Sequence, residues 1–358
     1  MKVHLRAAVC GRLPAHRPFL ALMAATALLT VGCATGSTPG ATSGPGATGS
    51  APSQAASGAD APTGSITLYT SVTQPTVDAI LEGYKARAPG VTVEVFRAPT
   101  GELASRIAAD LRTGKIGADV LWPTDPLSIG GYADKGLLRK WQPTEAATIA
   151  DAYHTDTYWG TRFLNMVMIR GKGVTPGPLA WKDLTDPAYK DAVGIPDPAF
   201  AGSALGALAY FAEADCLGMD FYKALKANGA VQVKSPVEVT TGVAEGRFKA
   251  GMTIDQSARE AIKKGAPIEL VWPSDGAIAI YTPIGVVEAS ANPSAAESLV
   301  EFILSEPGQK AIGSVGFQPI RDGAGGPPPD GKQVAPDWSV ALGRQADILA
   351  EYQAIFGD

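Results

Sequence analysis

The chain is 358 residues long, which at about 150 residues per domain predicts two domains, and its 46% hydrophobic residues are enough to build cores. Its net charge is −5, although Lys2, Arg6, Arg12 and Arg17 make the first 32 residues basic, so the acidic remainder lacks the basic surface of nucleic-acid-binding proteins. Three cysteines are too few for a disulfide scaffold or an iron–sulfur site. Only one histidine, His154, lies beyond residue 32, which excludes a multi-histidine metal site.

Residues 1–32 have the pattern of a secretory signal peptide. A basic segment precedes the apolar run Phe19–Val31, which is shorter than the roughly 20 residues of a membrane-spanning helix. Thr30-Val31-Gly32-Cys33 is similar to a bacterial lipobox, so we predict that Cys33 is lipidated, for example with palmitate, and becomes the first residue of the mature chain. The alternative is an ordinary signal peptide with a chance cysteine.

Residues 33–64 predict a disordered tether. From Ala34 onward this segment is almost entirely Ala, Gly, Ser, Thr and Pro, and Asp60 is its one charged residue. Such a composition buries too little apolar surface to offset its ordering entropy. About 30 residues of this kind reach roughly 30 Å, which predicts a folded body held near a membrane surface.

After the tether, short strands alternate with helices. Three β-rich segments are separated by helical periodicities, for example Val77, Ile80, Leu81 and Tyr84 on one helix face. The predicted strands are Ser65–Tyr69, Val91–Phe96 and Ala118–Trp122. This alternation predicts an α/β fold with a parallel sheet, in which ligands bind at the carboxyl ends of the strands.

Polar residues follow each of these strands and form the first half of a predicted site. They are Ser71 and Thr73, then Thr100, Gly101 and Glu102, and then Thr124 and Asp125. Each cluster taken alone is more typical of simple helix capping, whereas three clusters at successive strand ends favour a shared binding site.

The second half of the predicted site follows the extended segment Thr161–Arg170, which we predict to cross to a second lobe. Gly202 and Ser203 begin an apolar helix, whose first backbone N–H groups favour anions. Asp255 and Gln256 follow another predicted strand, and residues 268–276 are a candidate for the return crossing. The alternatives are a close-packed helix start at Gly202 and simple capping by Asp255.

Two further helices are predicted near the C-terminus. Ser294 and Glu297 match a capping box ahead of an apolar stripe that would cover the sheet of the first lobe. The segment containing Ile348, Tyr352 and Phe356 has the periodicity of a helix that packs on the folded body, and the sequence does not decide on which lobe.

Several stretches together resemble the solute-binding lipoproteins of bacterial ABC importers, in the ferric-binding-protein-like group. They are ITLYTSVTQ, VTVEVFRAPTGELASRI, GADVLWPTDP, WGTRFLNMVMIRG, APIELVWPSDGAIAIYTPIGVV and NPSAAESLVEFILSEPGQKAIGSVGFQPIR. The resemblance implies a two-lobed type II periplasmic-binding-protein fold with two crossover strands. It implies lobe 1 from residues 65–162 and 277–358, and lobe 2 from residues 163–276.

The resemblance also implies a function: a solute is bound in the interlobe cleft, and the closed protein docks on an ABC permease coupled to an ATPase. The protein is then a monomer and not an enzyme, without a cofactor or nucleic-acid partner, at the outer face of the plasma membrane. The sequence has no Gly-x-Ser-x-Gly elbow and no phosphate-binding P-loop. A cell-wall-associated hydrolytic enzyme is the alternative class.

The solute is predicted from the candidate residues. Ferric-binding relatives use a histidine, a glutamate and a tyrosine pair, whereas this chain keeps only Glu102 and has Asp255-Gln256-Ser257 near the tyrosine positions. Hydroxyls and helix N-termini instead suit a phosphonate or phosphate, and carboxylates suit an amine. We predict a phosphorylated, phosphonate or zwitterionic solute, with Tyr281 as a further contact, and with Fe(III) or a polyamine as alternatives.

Overall fold

The computed structural model describes residues 61–213 and 217–357. The predicted signal peptide, the lipidation site at Cys33 and all but the last residues of the predicted tether lie outside this part of the chain, as does Cys216. Of the helices in the described part, none combines the length and the apolar character that a bilayer crossing requires.

The first lobe alternates strand and helix as predicted. Its elements are β1 (Gly64–Thr70), α1 (Gln74–Arg87), β2 (Val91–Arg97), α2 (Thr100–Arg112), β3 (Val120–Trp122) and α3 (Leu127–Ala133). The three strands are parallel in the order β2-β1-β3. Val77, Ile80 and Tyr84 of α1 are buried, so the periodicity in the sequence identifies the core face of this helix.

The chain then crosses to the second lobe through β4 (Trp159–Gly171), which is buried along almost its whole length. Four β-strands and four α-helices of the described residues follow in that lobe. They are β5 (Val193–Pro196), α4 (Gly202–Ala212), α5 (Gly218–Ala227), β6 (Val231–Val233), α6 (Pro236–Ala244), β7 (Ala250–Ile254), α7 (Asp255–Lys263) and β8 (Ile268–Val271).

The return crossing is β9 (Ala277–Val286), which runs antiparallel to β4. The prediction that residues 268–276 make the return crossing is therefore wrong, because β8 pairs with β4 and stays within the second lobe. The chain finishes with α8 (Pro293–Leu304), α9 (Glu306–Ser314), β10 (Gln318–Pro319), β11 (Gln333–Val334) and α10 (Trp338–Phe356).

Of the eleven strands in the described residues, eight form one hydrogen-bonded path in the order β2-β1-β3-β9-β4-β7-β5-β6, while β8 and β10 pair with β4 and β11 pairs with β9. The parallel strands β1–β3 lie at one end, the parallel set β5–β7 lies at the other, and the antiparallel pair β4 and β9 joins them. The predicted α/β architecture with two crossover strands is confirmed. Because both crossover strands are continuous, they position the carboxyl ends of the two parallel sets around a common cleft.

The capping box predicted at Ser294 and Glu297 is wrong. The side chain of Asn292 caps α8 by accepting a hydrogen bond from the Ala295 N–H at 3.3 Å. Glu297 instead accepts a hydrogen bond from Arg139 at 2.6 Å. Pro293 at the first helical position fits this start, since its missing N–H costs the helix nothing there.

The C-terminal helix α10 contacts helices of both lobes. Leu342 lies against Gly130 of α3, and Ala341 joins an apolar cluster with Leu205 of α4. Tyr352 packs edge-on against Tyr222 of α5, with 5.1 Å between ring centroids. Helix α10 therefore lies over the boundary between the lobes, and the predicted lobe boundaries at residues 162/163 and 276/277 stay a prediction.

Candidate functional site

A cavity of about 320 Å³ lies between the two lobes, at the lower end of the range for small-molecule sites. It is lined from three directions: strand ends of the first lobe, the crossover strand β4, and helix starts of the second lobe. Eight of the twelve residues predicted to bind ligand line it: Ser71, Thr73, Thr100, Glu102, Thr124, Gly202, Ser203 and Gln256.

The first-lobe wall of the cavity is a cluster of hydroxyls. Ser71 and Thr124 are joined through their side-chain oxygens at 2.9 Å, and Thr100 donates to the Ser71 hydroxyl at 3.2 Å. These residues meet because β1 and β3 are parallel neighbours, so the loops that follow them leave the same sheet edge. The cluster offers oxygen donors and acceptors, which suit a polar solute.

The second-lobe wall is built from helix starts. Helix α4 begins at Gly202, with Ser203 buried beside it, and α6 begins just after Ser235. The backbone N–H groups of a first helical turn have no partner within the helix and carry partial positive charge. This wall therefore favours a negatively charged ligand group.

Four of the predicted residues lie outside the cavity lining. Gly101 contacts the backbone at Ala199, and Tyr281 packs in the core against Tyr153. Asp255 accepts hydrogen bonds from Asn165 at 3.2 and 3.3 Å, and burial raises the pKa of this carboxyl. Asp125 caps the start of α3, where the Ser128 N–H and hydroxyl donate to it at 3.0 and 2.6 Å.

Sequence reasoning missed three cations that line the cavity: Arg97, Arg162 and Lys234. Arg97 donates through Nε to the Val72 carbonyl at 2.8 Å. Lys234 is exposed, with Nζ 5.6 Å from the centre of the Phe200 ring. Together with the carboxylates Glu102 and Glu238 on the lining, they give the cavity groups of both signs.

Arg162 is the most unusual of these cations because only 1% of it is exposed. Its guanidinium stacks 3.7 Å above the Phe317 ring, and Nη1 donates to the Thr76 hydroxyl at 2.8 Å. Its buried Nε has no hydrogen-bond partner, and no ion pair to Arg162 occurs among the described residues.

Burial lowers the pKa of Arg162 to about 9, so the guanidinium is still a cation at neutral pH. A buried cation without a carboxylate is costly unless an anion compensates it. One signal in the sequence pointed to it: an arginine near the start of the mostly apolar crossing run WGTRFLNMVMIRG.

The described residues contain no group of three or more His, Cys, Asp or Glu side chains arranged to hold a metal ion. Among the described residues, the carboxylates on the cavity lining are Glu102 and Glu238, no tyrosine lines it, and the buried cation Arg162 does. This lining of hydroxyls, an amide, two carboxylates and three cations, without a phenolate, does not fit a hard trivalent cation.

Asp125 gives the protein a testable pH dependence. Burial raises its pKa to about 6, although the hydrogen bonds from Ser128 oppose the shift. Because this pKa exceeds the unfolded value of about 3.9, the group contributes stability that is complete below about pH 4 and is lost as the pH rises through 6. Between pH 4 and pH 7, we expect the wild type to lose up to about 3 kcal/mol of unfolding free energy relative to the Asp125→Asn variant.

Urea denaturation at a series of pH values measures this difference. Asp78→Asn, on the exposed face of α1, is the control for removing one negative charge. Parallel stability curves for the wild type and Asp125→Asn would show that the carboxyl is not desolvated.

Curated proteins from Salmonella and Haemophilus are similar to this chain in sequence. A putative 2-aminoethylphosphonate-binding periplasmic protein of Salmonella typhimurium is 25% identical over 245 residues, or 66% of this chain and 71% of the relative. An uncharacterised protein of Haemophilus influenzae is 33% identical over 140 residues, or 38% of this chain. The chain spans only 40% of the length of the Haemophilus relative.

Solved structures with the same fold cover most of the chain. The periplasmic binding protein AfuA of Actinobacillus pleuropneumoniae, with fructose-6-phosphate bound, has a TM-score of 0.73 at 19% identity, covering 82% of this chain and 98% of AfuA. Iron-bound HitA of Pseudomonas aeruginosa has a TM-score of 0.71 at 23% identity, covering 82% of this chain and all of HitA. These similarities confirm the predicted two-lobed type II fold.

A family profile described as bacterial extracellular solute-binding protein matches residues 66–318. The match includes both lobes and both crossover strands. Proteins of this family bind solutes and do not convert them, so the expectation that the chain is not an enzyme is confirmed by the family. The chain belongs to the bacterial extracellular solute-binding proteins, with the fold of their ferric-binding-protein-like group.

Proposed function

We propose that this protein captures a small organic solute carrying a phosphonate or phosphate group and delivers it to an ABC import permease. The observation that carries this proposal is Arg162, a buried cation on the cavity without a carboxylate partner among the described residues. A guanidinium is suited to phosphate and phosphonate oxygens because its planar N–H groups can donate in pairs.

The rest of the cavity supports an oxyanion ligand. The Ser71 and Thr124 hydroxyls can donate to its oxygens, Thr100 can do so by giving up its bond to Ser71, and the helix dipoles at the starts of α4 and α6 favour negative charge. We propose the remaining lining residues of the predicted set, Thr73, Glu102, Ser203 and Gln256, as solute contacts. Two of the similar proteins support this solute class, since 2-aminoethylphosphonate and fructose-6-phosphate both carry a phosphorus oxyanion, whereas HitA holds iron.

The two carboxylates favour a solute that also carries an amine. Glu102 and Glu238 are both exposed on the cavity lining, and Glu238 accepts a hydrogen bond from the Ser235 hydroxyl at 3.2 Å. Carboxylates at the entrance can bind an ammonium group while the phosphonate binds Arg162. A zwitterionic aminoalkyl phosphonate is therefore our preferred solute, and a sugar phosphate is the second.

The predicted leader completes the proposed function. We propose that Cys33 is lipidated after removal of residues 1–32 and that residues 34–64 tether the body to the outer face of the plasma membrane. A reach of roughly 30 Å would let a monomer approach a membrane-embedded permease. Replacing Cys33 by serine is the direct test, because the variant should no longer partition into detergent.

A thermal-shift experiment tests the solute class. At a solute concentration 100 times its Kd, binding stabilises the folded state by about 2.7 kcal/mol, which for a protein of this size raises the Tm by about 5 °C. We expect such a shift with 2-aminoethylphosphonate, fructose-6-phosphate or both. Putrescine and ferric citrate are the comparison solutes, and a shift with either of these alone would contradict the proposal.

A further inference from the structure

The two lobes touch at one edge of the cavity, where the start of α2 meets the loop before α4. The Gly101 N–H donates to the Phe200 carbonyl at 3.4 Å, and the Gly202 N–H donates to the Thr100 hydroxyl at 3.2 Å. Each bond joins a first-lobe residue to a second-lobe residue. The contact therefore exists only when the lobes are close together.

The two glycines allow this approach because they lack a side chain. A Cβ atom on Gly101 would lie 2.2 Å from the Ala199 carbonyl oxygen, which belongs to the backbone and cannot rotate away. A Cβ atom on Gly202 would lie 2.2 Å from Asp125 Oδ2 and 2.9 Å from Thr100 Oγ1. Neither glycine has a positive φ, so close approach rather than backbone conformation explains the glycine at both positions.

The groups around Gly202 are held in place and cannot yield easily. Asp125 is fully buried and fixed by two hydrogen bonds from Ser128. Thr100 is fixed by its bond to Ser71. A side chain at residue 202 would therefore have to be accommodated by separating the lobes, which the crossover strands permit as a hinge motion.

We infer that Gly101 and Gly202 form a closure contact that sets how far the two lobes can close, and that their role is positioning rather than solute binding. A methyl group at either position prevents the opposite lobe from reaching its closed position. This inference holds whatever solute the cavity binds, so it goes beyond the proposed function.

Hydrogen–deuterium exchange without any added solute tests the inference, because each glycine amide reports on the other. In Gly101→Ala, the protection factor of the Gly202 amide is expected to fall at least tenfold. In Gly202→Ala, the amide of Gly101 is expected to lose protection in the same way. Small-angle X-ray scattering should show a larger radius of gyration for both variants.

The matched control is Gly131→Ala, since a Cβ atom there meets nothing within 4 Å. This variant should keep wild-type protection at both amides. Thr100→Val covers the case in which an alanine variant misfolds, because it removes the acceptor for the Gly202 N–H without adding bulk, and should expose that amide.

Two results would overturn the inference: no protection at either amide in the wild type, or wild-type protection in the folded glycine variants. Because no solute is present, neither result bears on the proposed solute class, which the thermal-shift experiment tests separately.

Discussion

Replacing Arg162 by methionine is expected to weaken binding of the phosphonate or phosphate solute at least 100-fold while leaving the unfolding free energy of the solute-free protein unchanged or higher. The affinity falls because a charge-assisted hydrogen bond to a buried anion is lost, and breaking a buried ion pair typically costs about 3–5 kcal/mol. The stability is kept because methionine is similar in length, can pack on Phe317, and needs no compensating charge. Isothermal titration calorimetry and urea denaturation measure the two quantities.

The control for Arg162→Met is Arg97→Gln, which removes an exposed cation from the same cavity. Its charge is screened by water and salt, so we expect an affinity loss of no more than about tenfold. Thr76 keeps a partner in the Arg162 variant, because its hydroxyl also bonds Thr73 at 3.0 Å. An Arg162→Met protein that binds the solute as tightly as the wild type would refute the assignment of this residue.

The opposite pattern is expected for Phe211→Ala, in the body of α4. Phe211 is fully buried and contacts Phe221 and Trp181, at ring-centroid distances of 4.6 and 5.4 Å. Truncating such a ring leaves a cavity, and we expect the unfolding free energy to fall by about 3–5 kcal/mol. The solute affinity of the remaining folded protein should be unchanged, since Phe211 lies two turns from the start of α4 at the cavity.

Val340→Ala in α10 is the control for Phe211→Ala, because that valine is half exposed and its truncation should change stability by less than about 0.5 kcal/mol. A Phe211→Ala protein with wild-type stability would mean that the core of the second lobe is not packed around this ring. An affinity loss in the folded variant would mean that α4 transmits packing changes to the cavity.

Local patterns predicted most of the fold. The β-rich run at residues 65–69 became β1, and the spacing of Val77, Ile80 and Tyr84 identified the buried face of α1. These patterns succeed because alternation and helical periodicity reflect burial on one face of an element. The strand-end rule then brought Ser71, Thr100 and Thr124 together, since parallel strands deliver their following loops to one sheet edge.

The rest depended on contacts between distant parts of the chain. Arg162 and Phe317 are far apart in sequence, and nothing local to either indicates that one covers the other. Whether Gly101 and Gly202 meet a solute or the opposite lobe is decided by the angle between the lobes. The cap of α8 shows the same limit at short range, because Asn292 and Ser294 are both good capping residues and Arg139 draws Glu297 away.

The position of α10 bears on how the protein should be handled. Its side chains contact α3 on one lobe and α4 and α5 on the other, so the last twenty or so residues influence both halves at once. A purification tag or fluorescent fusion placed after residue 358 would be attached directly behind the helix that contacts both lobes. Labels intended to leave the resting geometry undisturbed therefore belong on the exposed outer face of α1 or α5 and not at the carboxyl terminus.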